Sequence, residues 1–139
     1  MKLKIVVFTF LLFSAIRVSA QETRLKFDGY YRTLPDSLNP FSYYLRFYPD
    51  GTVIGYSTAG NPKNLVSWFT KDYKSPTKGQ GQYELKDKIL QFSLKSDEGT
   101  IEYKGSLLSD IKLSFVVKSL INKYEGKEEY FFLKMEGLK

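Results

Sequence analysis

Between Tyr43 and Ser57 two runs of alternating side chains flank Pro49-Asp50-Gly51, an arrangement that fits a β-hairpin and little else. Proline at the first loop position presets a type I turn, and glycine at the third is free to take positive φ. The implied register pairs Phe47 with Val53, Leu45 with Gly55 and Tyr43 with Ser57 on one face. The other face carries Tyr44, Arg46, Tyr48, Thr52, Ile54 and Tyr56. Such alternation marks a sheet with one buried and one wetter face. Leu45, Phe47 and Val53 make the better core, because tyrosine tolerates water at its hydroxyl end.

Short strands continue along the chain. Leu25 to Thr33 predicts the first. Gly81 to Leu85 and Ile89 to Lys95 flank a Lys86-Asp87-Lys88 turn, with Tyr83, Leu85, Leu90, Phe92 and Leu94 inward. Thr100 to Leu107 and Ile111 to Lys118 flank Ser109-Asp110, and Ile111, Leu113, Phe115 and Val117 share one face. Glu129 to Met135 follows a turn over Asn122 to Lys127, with Phe131, Leu133 and Met135 inward. One segment departs from this pattern. Asn61-Pro62-Lys63-Asn64 caps a short helix, spanning 62–73, on which Leu65, Val66, Trp68 and Phe69 have helical spacing. Counting the hairpin as two, the strands predict an all-β fold: an eight-stranded antiparallel up-and-down barrel with one short helix. Closure removes exposed edges. A two-sheet sandwich is the alternative.

"GYYRT", "YLRFYPDGTVIGY", "GQYEL" and "EEYFFLKM" resemble, in order and spacing, a lipocalin-like (calycin-type) small barrel over most of residues 27–135. More narrowly, "YLRFYPDGTV" is similar to a hairpin in the C-terminal domain of the F-box-only protein family. The resemblance implies the barrel fold. It carries no ubiquitin-ligase role across, because no F-box accompanies it. Gly29-Tyr30-Tyr31 stands where lipocalins have Gly-x-Trp.

Residues 1–20 have the layout of a cleavable secretory signal peptide: a basic start at Lys2 and Lys4, a mostly apolar run from Ile5 to Ile16, and Val18-Ser19-Ala20 before Gln21. The apolar run falls short of the ~20 residues needed to cross a bilayer. The expected organisation is therefore signal peptide 1–20 and one lipocalin-like β-barrel domain at 21–139. The product is secreted or periplasmic, with no membrane span after cleavage. Loss of Lys2, Lys4 and Arg17 lowers the formal charge from +6 to +3, which does not make a nucleic-acid footprint. With no cysteine, stability must come from a packed core rather than disulfides.

The absence of histidine and cysteine removes the commonest triads, thiol catalysis and His-based zinc sites. Asp50, Asp87, Asp97 and Asp110 fall in turns, and Glu84 and Glu102 on outer faces, so no carboxylate pair faces across a cleft as a glycosidase requires. Neither Asp97-Glu98 with Glu102 nor Glu125 with Glu128 and Glu129 has the spacing of a calcium loop. Gly79-Gln80-Gly81 lacks the helix and lysine of a phosphate loop. The expectation is a non-enzymatic protein without cofactor or metal. Its interior binds a small apolar or amphipathic ligand through Leu45, Phe47, Val53, Tyr83, Leu90, Phe92, Phe115 and Phe131, with Trp68 and Phe69 as a lid. The alternative follows from size, since side chains alone can fill an eight-stranded barrel. The chain is then an interaction module that contacts a protein or glycan through an outer face of Tyr44, Arg46, Tyr48 and Tyr56. In a third arrangement the helix covers that face.

Overall fold

A computed structural model describes residues 23–59 and 65–138; the expected signal peptide and the helix-capping segment 61–64 lie outside them. The strands are β1 (Gly29–Arg32), β2 (Ser42–Phe47), β3 (Thr52–Thr58), β4 (Gly79–Lys86), β5 (Ile89–Ser96), β6 (Gly99–Ser109), β7 (Lys112–Ser119) and β8 (Glu125–Lys134). Each pairs antiparallel with the next, and β8 returns to β1, so the sheet is a closed up-and-down barrel. Among the described residues no helix is long and apolar enough to cross a membrane.

The β2–β3 hairpin has the predicted register: Phe47 opposes Val53, Leu45 opposes Gly55 and Tyr43 opposes Ser57. Its loop closes as the residues dictate. The Gly51 N–H donates to the Tyr48 carbonyl at 3.1 Å, the Tyr48 N–H donates to the Thr52 carbonyl at 2.9 Å, and Gly51 takes φ +94°. Only glycine adopts that conformation without strain. Asp50 accepts the Thr52 N–H and pairs with the Lys71 ammonium, which holds its carboxyl down at about 2.

Inside the barrel the rings meet one another rather than empty space. Phe92 stacks on Tyr103 (4.6 Å between centroids) and meets Phe47 and Phe115 edge-on at 5.5 Å each. Phe47 continues the contacts to Tyr31, and Phe115 to Tyr130, at 5.7 Å. One end is plugged. Leu25 packs into the core, and the Tyr31 hydroxyl accepts the Lys26 N–H and donates to the Asp110 carbonyl, both at 3.0 Å. Burial pushes that hydroxyl up to about 12.

Four expectations are corrected. The first strand is shorter than Leu25 to Thr33: β1 starts only at Gly29, Leu25 packs into the core and the Lys26 N–H is taken by the Tyr31 hydroxyl. The helix, expected over 62–73, is among the described residues a single turn, α1 (Leu65–Trp68). The facing of β8 is reversed: Tyr130 is fully buried, with Glu128 and Phe132 on its side, whereas Phe131 and Leu133 point outward. Phe131 therefore leaves the interior set and lies near the Lys112 ammonium instead. Pairing decides this, since Leu113 opposes Tyr130 and Phe115 opposes Glu128 across β7–β8. Leu85 and Ile111, also expected inward, lie exposed at strand ends.

Gly105, opposite Phe115 on β7, marks a close approach between strands. A Cβ there would lie 1.8 Å from the Ser114 carbonyl oxygen. Gly105→Ala must part β6 from β7 and is expected to cost about 2–3 kcal/mol of overpacking, read as a shift in urea midpoint. An unshifted midpoint would show that the strands have slack.

Candidate functional site

The expected interior site is built, but it is full. Leu45, Phe47, Val53, Leu90, Phe92 and Phe115 are buried in one cluster, with Tyr83 packed against it and in edge contact with Phe47. At the unplugged end a space of about 80 Å³ remains beside Tyr43, Leu94, Ile101, Tyr103 and Ile121. Ligand sites for drug-sized molecules run to roughly 300 Å³ or more.

The residues expected as a lid and as an outer contact face occupy one another. On the outside of β1–β3, Tyr30, Tyr44, Arg46, Tyr48, Ile54 and Tyr56 are buried beneath Leu65 and Phe69, with Trp68 packed alongside. Phe69 lies 5.9 Å from Tyr30 and 5.7 Å from Tyr56 between ring centroids. Its carbonyl accepts from the Arg46 guanidinium and, at 2.8 Å, from the Tyr48 hydroxyl. Further along, the Lys78 ammonium donates to the carbonyls of Thr70, Lys71 and Tyr73 at 2.7–2.9 Å. Trp68 and Phe69 thus cover the wall rather than the mouth, and Tyr44, Arg46, Tyr48 and Tyr56 form no open contact face.

The barrel does have an incomplete wall. β1 ends at Arg32, opposite Phe131, so the first six residues of β8 (Glu125–Tyr130) are paired only with β7. The chain ends the strand here for a local reason. Thr33 bonds sideways to Tyr43 through its own N–H and its hydroxyl, and Pro35 has no N–H to offer a ladder. Residues 34–41 then fold on themselves: Asp36 accepts the N–H groups of Leu38 and Asn39, and Asn39 accepts that of Phe41.

Between this loop and β8 lies a groove of about 550 Å³. Leu34, Asp36, Phe41 and Tyr43 form one side, and Tyr124, Lys127, Glu128 and Glu129 the other. Glu128 links the groove to the core. Its side chain faces inward and accepts the Tyr130 hydroxyl at 2.8 Å, with Tyr103 beside that hydroxyl. Burial raises the Glu128 carboxyl above its ordinary value, partly offset by the Tyr130 hydrogen bond. Burial likewise pushes Tyr103 and Tyr130 upward.

A larger concavity, about 860 Å³, is different in kind. It is an open dish over the outer wall of β4–β7, lined by polar side chains such as Gln80, Gln82, Gln91, Lys95, Glu102 and Lys104.

In the sequence Glu128 stands only as one of three nearby acids, and the groove goes unread. Two signals were there to find: Pro35 just beyond the first strand, and the shared parity of Glu128 with Tyr130.

Because the raised carboxyl keeps its proton to higher pH in the folded state, it adds stability below the ordinary carboxylate range. That contribution is lost as pH rises through the raised value. Glu128→Gln mimics the protonated form. Its stability relative to wild type is expected to be near parity at pH ~4 and clearly greater at pH ~7 in urea titrations. An equal difference at both values would mean the carboxyl titrates normally.

No protein family, curated protein or solved structure matches the chain.

Proposed function

We propose that this protein is an exported, non-catalytic, lipocalin-like barrel that works as an interaction module, engaging its partner through the wall gap between loop 34–41 and β8. One observation carries the reading. The lumen is closed by its own rings, while the first six residues of β8, paired only with β7, open onto a groove of about 550 Å³. Leu34 and Phe41 on the loop, and Tyr124 across from them, expose apolar surface at this groove. Aromatic and apolar anchors beside buried polar groups are the usual anatomy of a recognition surface.

Expression with the leader in a secreting cell, followed by native and denaturing mass spectrometry, tests export and module together. The expected product lies outside the cytoplasm, begins at Gln21 and has the bare mass of the chain in both spectra. A small apolar molecule carried in the native spectrum and shed on denaturation would return the interior to service as a carrier. A chain retained with Met1 would end the exported reading.

A further inference from the structure

The half of β8 that lacks a β1 neighbour offers a specific chemistry. In an antiparallel ladder, successive residues aim their backbone groups at opposite neighbours. The Phe132 N–H donates to the Ile111 carbonyl, and the Tyr124 carbonyl accepts the Ser119 N–H, so even-numbered residues face β7. The Met135 N–H donates to the Asp28 carbonyl, so odd-numbered residues face the β1 side. Lys127 and Glu129 therefore present N–H and C=O groups to the groove, and among the described residues neither finds a backbone partner there.

We propose that an extended peptide segment of a partner adds to this edge, antiparallel to β8 and in line with β1, completing the barrel wall. This rests on the gap being the binding face. Backbone bonds to Lys127 and Glu129 would supply affinity, and alternate side chains specificity, as in other strand additions. The residue opposite Glu128 points inward at a carboxylate. Asp36, Glu128 and Glu129 outnumber Lys127 around the groove, although the exported chain as a whole is basic. The segment it fits therefore carries Lys or Arg at that position and an apolar residue two further on, where Tyr124 folds over Gly126.

The test uses the peptide acetyl-Thr-Lys-Thr-Val-Thr-amide with residues 21–139, followed by NMR. The expected result is amide shifts centred on Lys127, Glu128 and Glu129, with a Kd on the order of 1 mM or tighter. Replacing the peptide lysine by glutamate, or N-methylating its threonines, should weaken binding about tenfold or more. Lys127→Pro should fold, since that N–H takes no part in pairing with β7, and should abolish binding. Shifts at the groove that N-methylation leaves unchanged would overturn strand addition while leaving the groove as the binding face. Absence of binding at several times that concentration, or shifts elsewhere, would overturn the proposal itself.

Discussion

Phe92→Ala is expected to lower the unfolding free energy by about 3–5 kcal/mol, read from urea titrations of the purified chain. Phe92 is where the interior converges, with Phe47, Tyr103 and Phe115 all within 5.5 Å of it between centroids. Removing the ring loses its transfer free energy and leaves a void that the surrounding strands, closed into a barrel, cannot collapse. The void should also be dry and apolar, so benzene should stabilise the variant and leave wild type unchanged. A loss below about 1.5 kcal/mol would mean that the lumen already has slack, and that the ring lines a cavity rather than filling one.

Phe69→Ala should cost nearly as much, about 3 kcal/mol or more, for a reason outside the lumen. Phe69 is fully buried against Tyr30 and Tyr56, and it seats the returning chain on the outer wall of β1–β3. Arg46 and Tyr48 still reach its backbone carbonyl, so the segment is expected to loosen rather than leave. Trp68, the sole tryptophan, packs on Tyr56 at 6.1 Å and reports the change directly. Its emission should shift to the red in the variant under native conditions. An unshifted emission with a loss below about 1 kcal/mol would show that the Arg46, Tyr48 and Lys78 bonds hold the cover without the ring.

How much of this could be read in the sequence depended on how local each determinant was. The β2–β3 register was legible because Pro49, Asp50 and Gly51 fix a turn type, and turn type fixes pairing. Leu113, Phe115 and Val117 were legible because their neighbours Lys112 and Lys118 are charged. β8 defeated the same logic. Tyr130, Phe131, Phe132 and Leu133 are all large and apolar, so alternation there has no phase, and only the pairing with β7 supplies one. In sequence, the tyrosines of the outer hairpin face suit an open surface or a covered one. Sequence could not choose, because the cover comes from Leu65 and Phe69, whose docking is tertiary. The wall gap is a difference between strand lengths, four residues in β1 against ten in β8, and no single stretch records it.

Residue-by-residue amide hydrogen exchange along β8 tests the central claim most directly, because the wall gap gives neighbouring amides opposite fates. Glu128 and Tyr130 aim their N–H groups at β7 and should exchange slowly, at rates close to those of Leu113 and Phe115. Lys127 and Glu129 aim theirs into the groove and should exchange orders of magnitude faster. Alternating protection across 127–130 is the predicted result. Uniform protection of all four amides would mean that the wall is closed along its whole height, and the binding edge would not exist.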